Sequence, residues 1–592
     1  MTSQPREFPL VPALWTLLRQ LEPARRRALL PLVGLMLLGA LAELATLGAL
    51  VPFLSFIADP DRTGAHPFVA PVLDWLGVRE SAVMPVQIGL FAAAALSSAA
   101  LRLTLLWATG TFVGGVAREL STRLYSDTLH QPYRFHTCRH TSEIIAIVNK
   151  TQIFSSEVLG PLMSGGAALV MACFIVTGLI IVDPVAALLA GGSFVAIYLA
   201  VTLFTRRRLS ANGKIIARTQ AERVKAMQDG LGGIRDVLLD QSQLVFVEGY
   251  DRAEARYRTA RVWNTFMGGA PRFVVEAAGM IMIAAIAAAM TGRAGGIAAA
   301  IPVLGAMALG AQRLMPLVQQ IYNAWAAAMG NKQVVLDVME LLERPRPRSP
   351  SVRRLPYASS IELRNVSFRY ESNRALVLKD IDLRIEKGAR IGIAGKTGGG
   401  KSTFVDIVLG LLEPSTGFVC VDGVALDADS RLAWQRNVAH VPQAIYLADA
   451  SVAENIAFGV PPDRIDRERV RHAAEQAELG DVVAALPQGY DTPVGERGIQ
   501  LSGGQRQRIG IARALYKDAS VLVFDEATSA LDAETEAAVM SAIGKLDRQL
   551  TIIIIAHRLS TLDQCDRVVQ LERGSITAIE TRRPANIGGA VS

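Results

Sequence analysis

Four cysteines in 592 residues, Cys138, Cys173, Cys420 and Cys565, stand far apart and form no CxxC pair, which argues against a disulfide framework and a cysteine zinc site. They read as packing or surface residues. Charged residues are scarce at 19%, against 51% hydrophobic residues and a mean hydropathy of +0.30, too apolar a balance for an ordinary soluble enzyme. No basic stretch is interleaved with aromatics, so the formal charge of +7 and the pI near 9.3 do not imply nucleic acid as a partner. The pattern of a cleavable leader is also missing. The polar opening ends in Arg25, Arg26 and Arg27, and the apolar run after it, about 30 residues, far exceeds the roughly 7 to 15 of a signal-peptide core. The N-terminus is therefore expected to stay on the chain.

What the chain does have is a set of long apolar runs with few charges that end near residue 340, followed by the mixed composition of a soluble α/β domain. A membrane span needs about 20 apolar residues. Six runs qualify: 28–57, 84–116, 158–181, 184–204, 268–292 and 295–317. The third and fourth are separated only by "VDP", the fifth and sixth only by "TGRAG", so each pair is expected to form a helical hairpin. Arg206, Arg207, Arg208, Lys214, Arg218, Arg223, Lys225 and Arg235 crowd the loop between spans four and five, whereas residues 58–83 hold only Arg62 and Arg79 against four acids. The positive-inside rule then puts both termini in the cytoplasm. The long loops after spans two and four carry helical periodicity and read as helices continuing out of the membrane. "HPFVAPVLDWLGV" fits a short amphipathic surface helix or an irregular loop.

After the linker "ERPRPRSPSVRRLP" the register changes to strands, and "RIGIAG" leads into "GKTGGGKST". This satisfies G-x-x-x-x-G-K-[ST]. Gly395, Lys396, Thr397, Gly398, Gly399, Gly400 and Thr403 form the turn whose backbone N–H groups curl round a triphosphate; Lys401 neutralises its β and γ oxygens and Ser402 suits Mg2+. A P-loop alone implies only a bound nucleotide. The apolar strand of "SVLVFDEATSALD" then delivers Asp525 towards the metal, with Glu526 beside it to polarise an attacking water.

With "LSGGQRQRIGIARAL" between these motifs, the sequence resembles the ATP-binding cassette (ABC) superfamily. The resemblance implies an adenine-stacking role for Tyr370 in "VSFRY", and a metal-sensing Q-loop role for Gln443 in "HVPQ". It further implies a D-loop role for Asp532 in "SALD" and a γ-phosphate switch role for His557 in "IIIIAHRLS". Leu501, Ser502, Gly503, Gly504 and Gln505 match the signature that faces the ATP held by a second subunit, so ATP and Mg2+ are the expected cofactors and a homodimer the expected assembly. The implied architecture is a type I exporter fold: a six-helix α-helical membrane domain (1–340), a linker (341–360), an α/β P-loop nucleotide-binding domain (361–582) and a short tail (583–592). "VGERG" before the signature is similar to an exporter-specific loop. Coupling helices are expected near "QPYRFHTCRHTSE" and "GLGGIRDVLLDQ", with Tyr133 and Arg235 among their members.

At 1.5 Å per residue, Arg272 lies about 30 Å, and Arg102 and Arg313 about 27 Å, from the outer ends of their spans. Arginines at one such level either snorkel to headgroups or face a cavity. Glu276, a turn deeper, and Glu43, near the middle of span one, favour the cavity, because lipid-facing carboxylates are costly. "GAPRFVVE" and "AQRLMP" look like stretches of bacterial lipid-linked oligosaccharide flippases. That resemblance implies a polyprenyl-pyrophosphate-linked glycan as cargo in the bacterial inner membrane, with Arg102, Arg272 and Arg313 as headgroup ligands. Lipid A-like lipids, peptides and drugs are the alternative cargoes. A membrane-anchored regulatory P-loop ATPase is the alternative class, disfavoured because an anchor needs only one span.

Overall fold

The computed structural model describes residues 10–58, 83–138, 141–182, 184–291, 296–343, 353–371, 375–495, 498–526, 533–556 and 562–582. Met1–His130 and Arg139–Arg346 form one compact unit, Gln131–Cys138 and Pro347–Ser592 a second. The first unit is helical: α1 (Leu10–Gln20), α2 (Pro23–Ala58) and α3 (Val83–Leu129), then, after the short α4 (Tyr133–Thr137) of the second unit, α5 (Thr141–Phe154) and α6 (Gly160–Val182). α7 (Pro184–Gly232), α8 (Ile234–Leu239), α9 (Gln243–Thr291), α10 (Gly296–Gly330) and α11 (Lys332–Leu342) complete it.

The six apolar runs fall on α2, α3, α6, α7, α9 and α10, and the long loops continue those helices, α3 to Leu129 and α7 to Gly232. Among the described residues, Pro23–Thr46, Ile88–Leu129 and Asn149–Gly178 are long and apolar enough to cross a membrane. The third includes a π-turn, Ser155–Leu159, whose Glu157 pairs with Arg261 at 2.9 Å. The proposed surface helix "HPFVAPVLDWLGV" lies outside the described residues. α2 packs on α3, α6 on α10, and α7 on α9.

Pro271 sits inside α9 and cannot donate to the carbonyl four residues back, that of Met267. In hydrocarbon an orphaned carbonyl is costly. The Tyr322 hydroxyl of α10 donates to Met267 at 3.0 Å, and Gln319 Nε2 donates to the neighbouring Gly268 carbonyl at 2.8 Å. Tyr198 of α7 donates to Gln319 Oε1 at 2.8 Å, so three helices share one polar network around the proline.

In the second unit, strands β1 (Ser360–Phe368), β2 (Leu378–Glu386), β4 (Thr416–Val421) and β5 (Val424–Ala425) form an antiparallel sheet ordered β2-β1-β4-β5. The larger sheet, ordered β10-β9-β3-β8-β7-β6, uses β3 (Arg390–Ala394), β6 (Val438–Val441), β7 (Val521–Asp525), β8 (Thr551–Ile555), β9 (Arg567–Glu572) and β10 (Ser575–Thr581). Its first five strands by sequence run parallel and β10 is antiparallel to β9. β3 and β8 are buried along their whole length, as continuous apolar strands covered on both faces must be. The helices in chain order are α12 (Lys401–Val408), α13 (Ala428–Trp434), α14 (Val452–Ile456), α15 (Arg467–Gln476), α16 (Gly480–Ala484), α17 (Gly503–Tyr516) and α18 (Ala533–Lys545). Trp434 is fully buried, with its indole N–H donating to Val408 at 2.9 Å.

Candidate nucleotide site and membrane cavity

In a parallel sheet, ligands collect beyond the carboxyl ends of the strands. The P-loop follows β3, Gln443 follows β6 and Asp525 ends β7, so the topology brings all three to one edge. Lys401, the first residue of α12, is buried, and its Nζ donates to the Gly395 carbonyl at 2.7 Å. Gly395, Gly398 and Gly400 have φ of 155°, 80° and 98°. A Cβ on Gly395 would stand 2.2 Å from the Leu571 carbonyl, so the loop closes down on β9 only because that residue is glycine. Lys396, Thr397, Gly398 and Ser402 are exposed, while Gly399 and Thr403 are buried beneath the loop.

Tyr370 follows β1; its ring meets Phe368 edge-on and its hydroxyl lies 3.1 Å from Thr403 Oγ1. Gln443 Nε2 donates to Glu526 Oε2 at 2.8 Å. Glu526 itself has φ of 50°, a left-handed conformation uncommon for a residue with a side chain, and its N–H donates to the Ile555 carbonyl of β8 at 3.0 Å. Burial raises the Asp525 carboxyl above the usual range, and the neighbouring Glu526 adds to the shift while Lys401 opposes it. A divalent cation at this carboxylate would reverse that cost. Ser402, Gln443 and Asp525 supply hard oxygen donors, and no group of three or more His, Cys, Asp or Glu among the described residues forms a metal cage. This set suits Mg2+, which takes few protein ligands and completes its shell with water and phosphate.

Leu501 is buried, and Ser502 caps α17: its Oγ accepts from Gln505 N–H at 3.2 Å while Gln505 Oε1 accepts from Ser502 N–H at 2.9 Å. Gly503 and Gly504 open the helix, which points free N–H groups outward, the geometry that receives phosphate. Asp532, His557 and the "ER" of "VGERG" lie outside the described residues. One contact was not legible in the sequence motifs: α4 lies in this unit, and the Arg134 guanidinium donates to the Tyr370 carbonyl.

The first unit holds a cavity of about 360 Å³ whose polar lining includes Glu43, Arg102, Arg313, Ser164 and Gln312. Glu43 is 1% exposed. Its Oε2 accepts from the Arg102 guanidinium and, at 3.1 Å, from Ser98 Oγ; its Oε1 accepts from the Arg313 guanidinium. Three helices, α2, α3 and α10, thus meet at one carboxylate. Arg272 and Glu276 do not join them. Both are exposed on α9 and are not among the described residues that line this cavity, since equal depth does not imply equal direction around the helix axis.

Residues 36–295 match the ABC transporter transmembrane region and residues 378–529 the ABC transporter family. The chain belongs to the ABC transporters, with membrane and ATP-binding regions on one polypeptide, and its second unit is an ABC-type ATPase domain. An ATP-dependent lipid A-core flippase of Ralstonia nicotianae is 44% identical over 224 residues, 38% of each chain. One of Alkalilimnicola ehrlichii is 35% identical over 382 residues, 62% of this chain and 63% of that one. The matched part spans about two-fifths of the length of the first such relatives. A bacterial Atm1-family ABC exporter solved with ATP bound superposes with a TM-score of 0.76 at 24% identity, covering 95% of this chain and 96% of that one, and establishes the type I exporter fold.

Proposed function

We propose that the chain is one half of a homodimeric, ATP-driven exporter of the bacterial inner membrane that moves an amphipathic anionic lipid from the inner leaflet outward. The observation that carries this reading is the cavity with two half-exposed arginines, Arg102 and Arg313, at membrane depth. Arginines on membrane helices that face a cavity and pair with a buried carboxylate favour a pathway or a ligand over a headgroup anchor. A polyprenyl-pyrophosphate-linked oligosaccharide is the preferred cargo, because a diphosphate matches the planar donors of two guanidiniums. A lipid A-like lipid is the second reading, supported by the name of the flippases that the chain resembles.

Each subunit would supply its P-loop, Asp525, Glu526 and Gln443 to one ATP, and Leu501 to Gln505 to the partner's, with Mg2+ held by Ser402, Gln443 and Asp525. Bound Mg2+ would supply charge neutralisation for the β and γ phosphates. Tyr370 would stack on adenine, while Asp532 and His557 would complete the D-loop and switch. Proteoliposomes carrying fluorescent forms of both lipids test the cargo. ATP-dependent outward transfer of the polyprenyl-linked glycan, but not of the lipid A-type lipid, supports the first reading; the reverse preference replaces it with the second.

A further inference from the structure

We propose that Glu43 is a built-in counter-ion that holds the place of the substrate's anionic headgroup, so that binding exchanges one anion for another across Arg102 and Arg313. This rests on the headgroup reading of the cavity given above. Glu43 has its side chain only 2% exposed, and both of its oxygens are engaged. The two arginines are different: 45% and 40% of their side-chain surfaces remain exposed, and each gives Glu43 one N–H of the five that a guanidinium carries. The carboxylate has a donor on each oxygen while those donors still face the cavity.

The charge on the wall points the same way. Glu43 is the only carboxylate among the described residues lining this cavity, so among them two guanidiniums against one carboxylate leave one net positive charge per chain. A diphosphate brings more negative charge than that, and a like charge held within the same pair of guanidiniums repels it. Full engagement of the headgroup therefore requires Glu43 to let go. Because Glu43 stands on α2 and its partners on α3 and α10, release also unties three helices at one point. An anion that displaces Glu43 thereby loosens the cavity it enters, a local two-state contact that ligand binding biases.

The test uses the full-length protein in phosphatidylcholine nanodiscs and reads the apparent Kd for three probes: a polyprenyl diphosphate, free inorganic diphosphate and an uncharged polyprenol. Glu43→Gln, which removes the competing charge, is expected to tighten polyprenyl diphosphate about tenfold. Arg102→Ala and Arg313→Ala are expected to weaken it by a similar factor, and polyprenol should be unaffected throughout. Ser98→Ala keeps the charge but removes a hydroxyl that holds it, and should shift affinity in the direction of Glu43→Gln by a smaller amount, covering the case in which Glu43→Gln does not fold. Tightening of free diphosphate without tightening of polyprenyl diphosphate would support the exchange while removing the lipid from the cargo. Weaker binding in both Glu43→Gln and Ser98→Ala would overturn the inference, since a carboxylate that merely positions its arginines gives that result. If neither arginine variant changes binding, the headgroup reading itself is wrong, and the inference goes with it.

Discussion

The Gln443 amide donates to the Glu526 carboxylate at 2.8 Å, joining the end of β6 to the end of β7. Glu526 is held there in a left-handed conformation, with its N–H tied to β8. Strain of this kind persists only where the surroundings impose it, and here it accompanies a carboxylate held against Gln443 at the end of β7. Glu526→Gln is expected to lower ATP turnover at least about 100-fold while ATP binding is retained. Gln443→Ala should cost roughly 10- to 100-fold, as loss of an orienting partner does. Steady-state hydrolysis with a parallel nucleotide-binding assay checks both; unchanged turnover in Glu526→Gln removes it from the chemistry.

Gly395→Ala places a methyl group where the Leu571 carbonyl already lies 2.2 Å away, at a φ of 155°. The loop and β9 cannot both stay in place. A destabilisation of about 3 kcal/mol or more is expected, together with loss of nucleotide binding. A melting temperature equal to wild type would show that the loop adjusts freely.

Tyr322→Phe leaves the Met267 carbonyl with neither the backbone donor that Pro271 lacks nor the hydroxyl that replaces it. The expected cost is about 1 to 2 kcal/mol. In a Pro271→Ala background the backbone N–H returns, so the same substitution should cost much less. Thermal unfolding of the four proteins closes this cycle, and equal costs in both backgrounds contradict the proposed substitution of donors.

His440 is held down to about 4, well below its ordinary 6.5, because burial penalises the imidazolium. Its Nε2 is buried without a hydrogen-bond partner among the described residues. A histidine depressed in this way contributes stability that is complete above about 6.5, where both states are neutral, and is lost as pH falls towards 4, because the unfolded chain takes up the proton first. The full span corresponds to a loss on the order of 3 kcal/mol. His440→Gln should therefore flatten the fall in melting temperature between pH 7 and pH 4.5, and an unchanged slope would assign the acid sensitivity to other groups.

Motif spacing pointed to the candidate nucleotide site, because a loop that wraps phosphate needs glycines and one lysine in a strict order that survives in one dimension. Helix lengths were legible for the same reason: an apolar run long enough to cross hydrocarbon has few other uses. The sequence did not reveal direction around an axis. Depth put Arg102, Arg272 and Arg313 on one level, but only Arg102 and Arg313 turn towards Glu43, and that depends on how α2, α3 and α10 pack. Nor could a pattern of types foresee that Tyr322 and Gln319 would answer for the carbonyls near Pro271, since both read as ordinary polar residues of a mostly apolar helix.

The most direct measurement is ATP-dependent transfer of a fluorescent polyprenyl-diphosphate saccharide across proteoliposome membranes, in wild type, Glu526→Gln, Arg102→Ala, Arg313→Ala and Arg272→Ala. Transfer is expected in wild type, none in Glu526→Gln, a fall of at least about tenfold in Arg102→Ala and Arg313→Ala, and near wild-type transfer in Arg272→Ala. Absence of transfer in wild type, or transfer indifferent to Arg102 and Arg313, would contradict the headgroup reading.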